Sequence, residues 1–376
     1  MKFGEIIGDG ELKEHLVSMV REGRTGHAFL FREEPGYGAL AYALALAQYL
    51  CCRNRTETDS CGSCPSCNKM QKLIHPDLHF AFPVNTSVMV PASSKQPVSD
   101  MFLPMWRKLV IGNPYFLEQE LYDATGIANK SGGMSVNEAA NIVDALSLHA
   151  FEADYKIMII YLPERMNPVA SNKLLKLLEE PPAGTVFMLI TQSLEKLLPT
   201  IVSRCQIIKV HPVPADELRK VLVERHGLDA ATALIYAKLS SGSYGKAENL
   251  LREEKEVSSD RQLLYDILEK GLSHDLDGMF PIMEALSSLG KEKQRNFCYF
   301  GEVLARKLEM LGLGMDGIAY VTPSEKDYLS SLAVRMKPGF CRRMLYIFDN
   351  ALSELDDNVN ARLIFSTMCD YFYLYL

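Results

Sequence analysis

Four cysteines carry the clearest chemical spacing in the chain: Cys52, then Cys61, Cys64 and Cys67 within Cys61-Gly62-Ser63-Cys64-Pro65-Ser66-Cys67. Two overlapping Cys-x-x-Cys steps plus one earlier cysteine supply four thiolates, the donor set of a closed tetrahedral structural zinc site. Gly62 and Pro65 suit a backbone wound tightly around a metal. Cys51 competes with Cys52 for the first position, and spacing does not choose between them. His75 and His79 lie close by, but four sulfurs already fill such a site, so packing, or support of the ligands from behind, is the expected role of both. Free thiols on an exposed loop would be chemically awkward, because they oxidise.

A second group sits around residues 32–38, which hold Pro35, Gly36 and Gly38 between a strand-like run, residues 27–31, and an alanine- and leucine-rich helix starting at Ala39. Strand, glycine loop and helix form the context of a phosphate-binding loop, G-x-x-x-x-G-K-[ST]. Laid on that pattern, Glu33 takes the first glycine, Gly38 the second, Ala39 the lysine and Leu40 the hydroxyl residue. The lysine for the β/γ-phosphates and the oxygen for magnesium are both replaced, and Glu33 and Glu34 would repel a triphosphate. The N–H groups at the helix start could still collect an anion. Productive ATP binding is not expected.

The third candidate is Arg204, in Pro199-Thr200-Ile201-Val202-Ser203-Arg204-Cys205. It falls between a short helical segment and the apolar pair Ile207-Ile208, with no acidic residue close by in sequence. A guanidinium presented at such a junction could reach the phosphates of a nucleotide held by a neighbouring subunit. An ordinary surface ion pair is the plainer reading of the stretch alone.

The elements that must position these residues are legible in part. Residues 11–22 carry Leu12, His15, Leu16, Met19 and Val20 at helical spacing, and Gly23 is a stop signal. Residues 78–82 read as a short strand. Residues 83–133 show prolines, serines, glycines, Trp106 and no sustained period, so a solvated insertion with one small apolar cluster is expected. Ser135 and Glu138 predict a capping box opening a helix to Leu148. Ile157-Met158-Ile159-Ile160 is apolar on both faces, as in the centre of a parallel sheet. Where an ATPase would carry its magnesium and water-activating acids, the chain has Tyr161 and Leu162, then Pro163; Glu164 reads as a solvated loop acid. Asn167 and Pro168 open a helix that closes in Glu179-Glu180-Pro181-Pro182, two carboxylates against the dipole. After the linker His211-Pro212-Val213-Pro214 come small helices, with a turn at Gly242-Ser243-Tyr244-Gly245-Lys246-Ala247. From about Ser258 the pattern is helical throughout, including a stripe of Phe340, Met344, Ile347, Phe348, Ala351, Leu352 and Leu355. Asn358 and Asn360 precede a last helix with an aromatic end.

A chain of 376 residues with 48% apolar and 23% charged residues is an ordinary globular one with room for two or three domains. Its net charge of −7 argues against strong autonomous binding to nucleic acid. No cationic start with an apolar run and no membrane-length apolar stretch is seen, so a cytoplasmic protein without membrane association is expected.

Taken together, these segments resemble the clamp-loader branch of the AAA+ proteins, its delta-prime-like members of bacterial DNA polymerase III most of all. The carrying residues are Gly23-Arg24-Thr25-Gly26-His27-Ala28-Phe29-Leu30-Phe31, Pro35-Gly36-Tyr37-Gly38, the cysteine run, His75-Pro76-Asp77, the stretch from Asn172 to Pro182, and Ser203-Arg204-Cys205. The resemblance implies an α/β AAA+ domain, a RecA-like parallel sheet with helices on both faces, over residues 1–210, with a zinc module at 51–67 and the insertion at 83–133. A small helical lid at 211–257 and an all-α collar for oligomerisation at 258–376 would follow. It further implies a stator that does not hydrolyse ATP and takes no nucleotide of its own. Such a stator sits with gamma/tau and delta subunits in a hetero-pentamer that loads a sliding clamp onto primer-template DNA. Arg204, within the Ser203-Arg204-Cys205 motif, would be the finger offered to the adjacent gamma/tau site. Thr191 matches the sensor-1 position, and Lys246 stands where ATPase relatives have a sensor-2 arginine. Two rivals stay open: an active gamma/tau-like ATPase subunit, and a zinc-dependent nucleic-acid-binding module.

Overall fold

The computed structural model describes residues 1–87, 89, 97–127, 132–147, 150–255, 259–319, 321 and 323–376. The expected helix end at Leu148, the boundary at Ser258 and parts of the 83–133 insertion lie outside the described residues. The chain forms two compact units, Met1–Arg225 with Ser240–Glu248, and His226–Leu239 with Asn249–Leu376.

The first unit is built on a five-stranded sheet, all parallel, in the order β2-β3-β4-β1-β5. Its opening helix α1 (Gly10–Arg21) is capped by Asp9, whose carboxylate accepts from the N–H groups of Glu11 and Leu12. His15, placed on the apolar stripe by spacing, is exposed, and Val17 is buried in its stead. Strand β1 (Ala28–Arg32) leads through the glycine turn into α2 (Ala39–Cys51), every residue of which is buried. Next come α3 (Pro65–Gln71) and β2 (Leu78–Ala81), then two helices inside the expected insertion, α4 (Leu103–Gly112) and α5 (Glu118–Thr125). Helix α6 (Val136–Ser147), β3 (Lys156–Tyr161), α7 (Pro168–Glu179), β4 (Thr185–Thr191), the single turn α8 (Pro199–Val202) and β5 (Gln206–Lys209) complete the αβ alternation. Helix α9 (Ala215–His226) follows the proline linker.

Strands β3 and β4 are buried along their whole length, which is why they read as unbroken apolar runs. On one face Leu30, Met158, Ile160, Phe187 and Leu189 pack with Ile142 and Leu146 of α6 and Leu174 and Leu178 of α7. Helix α2 packs against β1, β3 and β4, and α1 and α3 pack against α2.

The insertion departs from expectation. Trp106 is fully buried, stacked on Phe82 with centroids 4.2 Å apart, and packed against Phe80, Phe116 and Tyr161. Phe102, Trp106 and Val110 stand four apart and form a helical face. Pro104 hides that period by looking like a breaker, but it sits in the first turn of α4, where a missing N–H costs nothing. The expected capping box at α6 also fails. The Asn137 N–H reaches Ser135 Oγ, but the buried Glu138 carboxylate turns to the N–H and hydroxyl of Ser99 instead. That contact ties the insertion to the sheet domain.

The second unit is helical: α10 (Ala230–Leu239), α11 (Tyr244–Lys255, begun among residues of the first unit), α12 (Ser259–Leu272), α13 (Leu276–Ser288), α14 (Lys291–Gly312), α15 (Asp316–Ala319), α16 (Pro323–Arg335), α17 (Phe340–Asp356) and α18 (Ala361–Tyr375). Its core joins Phe297, Leu304, Met344, Phe348, Phe365 and Phe372 across α14, α17 and α18. The stripe on α17 is buried apart from Leu352, which is half-buried. Asn360 caps α18 through the N–H of Arg362. No helix among the described residues is long and apolar enough to cross a membrane.

Candidate nucleotide-loop, metal and arginine sites

The glycine turn after β1 is closed by the chain's own groups. Gly38 is the N-terminal cap of α2 with φ +99°, and Gly36 has φ +79°, conformations that favour glycine. Close approach demands glycine as well: a Cβ on Gly38 would lie 2.3 Å from Tyr115 Cε1, and one on Gly36 would lie 2.6 Å from Ser243 Oγ. Tyr115 comes from the insertion and accepts the Ile7 N–H at 2.8 Å. Ser243 donates to the Pro35 carbonyl, and the Gly245 N–H donates to the Gly36 carbonyl. The first two N–H groups of the turn and helix, Gly38 and Ala39, donate to Glu33 Oε2 at 2.9 and 2.8 Å. A helix N-terminus of this kind attracts an anion, and here its place is taken by the carboxyl group of Glu33, five and six residues back. The expectation that these N–H groups stay open to a foreign anion is therefore corrected.

Thr191, at the end of β4, is fully buried and close to the same turn, since its carbonyl accepts the Glu33 N–H. Its hydroxyl donates to Glu164 Oε2 at 2.9 Å, and the Gln192 N–H donates to Glu164 Oε1. Glu164 is thus a half-buried acid gripping Thr191 rather than a solvated one, and burial raises its carboxyl above the usual range. The reason is Leu162, which adopts φ 54° after β3 and turns the chain so that Glu164 comes back over the end of β4. Lys246 lies in the first turn of α11, its N–H donating to Ser243 Oγ.

Cys52, Cys61, Cys64 and Cys67 come together with their sulfurs within 4.8 Å of one another. The Cys52–Cys61 and Cys61–Cys67 sulfur pairs are 3.5 and 3.9 Å apart, close to the edge of a tetrahedron with metal–sulfur bonds of about 2.3 Å. Backbone N–H groups of Cys61, Cys64 and Cys67 point at the sulfurs of Cys52, Cys61 and Cys64, which suits thiolates. Cys51 faces away, toward the Tyr155 carbonyl, so geometry selects Cys52. His75 and His79 are not members of the cluster. His75 Nδ1 accepts the N–H of Asp77, whose carboxylate accepts three backbone N–H groups from residues 151–153.

Arg204 follows α8 and is exposed, as expected, but it is not without an acid. Its Nη2 lies 2.7 Å from Glu179 Oε1, at the last residue of α7. Nη1 donates to the Thr200 carbonyl at 3.0 Å and to Ser203 Oγ at 3.5 Å. Ser203 donates its own hydroxyl to the Thr200 carbonyl, and Cys205 is half-buried against the α6–α7 core. The carboxylate pair at the end of α7 was the only sequence signal for this contact. Among the described residues, Arg204 and the glycine turn share no partner.

A parallel sheet in this order, with a glycine turn feeding a buried helix and a four-cysteine module, defines an α/β protein of the AAA+ type. Residues 8–214 match the model of the family described as DNA polymerase III, delta subunit, and the chain belongs to that family, the delta-prime-like clamp-loader proteins. It is 29% identical over 235 residues to DNA polymerase III subunit delta′ of Escherichia coli (strain K12), covering 62% of this chain and 57% of that protein. It is 27% identical over 281 residues to the subunit delta′ of Bacillus subtilis (strain 168), covering 74% of this chain and 69% of the relative. Similarity extends to the E. coli subunit tau, at 26% over 324 residues, 83% of this chain and 43% of that protein.

Proposed function

We propose that this chain is the non-catalytic stator subunit of a DNA polymerase III clamp loader, and that it lends Arg204 to the ATP site of the adjacent gamma/tau subunit. Its partners on this reading are gamma/tau and delta subunits in a hetero-pentamer, with a sliding clamp and primer-template DNA met through the complex. Residues 1–210 act as the AAA+ domain, 211–257 as a lid and 258–376 as a collar. The observation that carries the reading is the Glu33 carboxylate on the N–H groups of Gly38 and Ala39. A γ-phosphate needs those donors, a lysine at Ala39 and a magnesium ligand at Leu40. The chain offers donors already taken by its own Glu33 carboxyl, a methyl group and an isobutyl group in their place. A guanidinium with no nucleotide of its own can still stabilise charge developing on a neighbour's transferring phosphoryl, worth about 10³–10⁵ in rate. The four cysteines hold a structural zinc ion, which supplies cross-linking of the module and no chemistry.

The similarity to tau supports a second reading, an active ATPase subunit with an atypical loop. Calorimetric titration of the isolated chain with MgATP, alongside a steady-state turnover assay, separates the two. The stator shows neither heat of binding at millimolar nucleotide nor turnover above a blank; saturable binding with turnover contradicts it. Weak DNA binding by the isolated chain is expected too, whereas tight binding with a steep salt slope would favour a nucleic-acid module.

A further inference from the structure

We propose that Glu179 is a positioning residue for Arg204, fixing the guanidinium plane so that its remaining donors face outward to a phosphate; this rests on the reading of Arg204 as a trans-acting finger. Three observations meet on it. A carboxylate at the last residue of α7 opposes the helix dipole, an arrangement disfavoured by about 0.3–1 kcal/mol unless a cation compensates it. Lys176 stands in the same last turn, and the cation in direct contact with the carboxylate is Arg204, drawn from a segment 25 residues later, at 2.7 Å. The same guanidinium is held on a second nitrogen by the Thr200 carbonyl and Ser203 Oγ.

Two neighbouring contacts on Nη1 and Nη2 define a plane, which one contact would not. A guanidinium has five N–H donors, and these contacts engage three. The two donors left, Nε–H and one hydrogen on Nη2, have no partner among the described residues, and the side chain is 36% exposed. A side chain wholly engaged by Glu179 would have to be released before it could work. This one keeps donors for a phosphate while its long stem is already ordered. Ordering such a side chain costs about 0.5–1.5 kcal/mol, and a contact present before the phosphate arrives removes that cost from the reaction step.

The test is a cycle of variants in the reconstituted assembly with its gamma/tau and delta partners, reading kcat and KM for MgATP. Glu179→Gln is expected to lower kcat about three- to tenfold with KM unchanged, to have no further effect in an Arg204→Ala background, and to be partly rescued by Glu179→Asp. In the isolated chain, ¹⁵N relaxation of the Arg204 Nε–H should report an ordered side chain that becomes mobile in Glu179→Gln. If Arg204→Ala impairs the assembly while Glu179→Gln matches the wild type or exceeds it, the positioning role is overturned and the trans-arginine reading survives. If Arg204→Ala is itself silent, both fall. An Arg204 signal equally mobile with and without the Glu179 charge overturns the positioning role on its own.

Discussion

Glu33 shows two opposing electrostatic effects acting on one group. The helix N–H donors favour its charged form, while complete burial disfavours it, and burial wins: the carboxyl is pushed up to about 7. Because the folded chain holds this proton more tightly than the unfolded one, the contribution of Glu33 to stability is full below about pH 4.5 and declines as pH rises toward 7. The limiting slope is about 1.4 kcal/mol per pH unit for one such group. Glu33→Gln keeps an oxygen for both N–H groups and has no charge to bury. Compared with it, the wild type should lose stability progressively between pH 5 and 7 and match it near pH 4. Urea unfolding followed by the fluorescence of Trp106, the sole tryptophan and a member of the same unit, measures the difference. A gap between the two that does not change with pH would show that burial does not govern this carboxyl.

At the scale of elements, the four-cysteine module is knitted to the chain's first residues. Asp59 accepts the N–H groups of Phe3 and Gly4, Ser60 accepts from the buried Gln48, and Ser66 donates to the Cys51 carbonyl. Losing the metal should therefore loosen more than one loop. Purified protein is expected to carry about one equivalent of zinc, and a Cys61→Ser/Cys64→Ser variant to lose it with a fall of several degrees in unfolding temperature. Metal analysis together with a thermal melt checks both, and a metal-free wild type that melts unchanged would remove the module from the account. Regular elements such as β3, α2 and α17 were readable because burial on all sides leaves an unbroken apolar run, and burial on one stripe leaves a period, in the residues themselves. Less was readable where the period was interrupted for a local reason. Pro104 masked α4, and the Glu138 carboxylate, placed in a cap by spacing, was drawn away by Ser99. Pairings such as Glu164 with Thr191 and Arg204 with Glu179, each about 25 residues apart or more, leave almost no mark in one dimension. Only the carboxylate that defied the helix dipole betrayed its partner.

For the molecule as a whole, the sheet domain places its own groups around the glycine turn between β1 and α2. Glu33 occupies the anion position, Tyr115 closes against Gly38, and Thr191 is bound to Glu164 rather than left facing a ligand. Arg204 lies before β5, at the other end of the parallel strands from the glycine turn that follows β1, and is exposed with donors to spare. The second unit is helical, with Leu363 and Leu374 exposed on α18. The most direct test of the account is single-turnover ATP hydrolysis by the reconstituted assembly, comparing the wild type with Arg204→Ala and Arg204→Lys. Hydrolysis at the one site next to this chain should slow by about 10³-fold or more in Arg204→Ala and nearly as much in Arg204→Lys, which loses the planar fork, with assembly intact. An Arg204→Ala assembly that hydrolyses every bound ATP at the wild-type rate would contradict it.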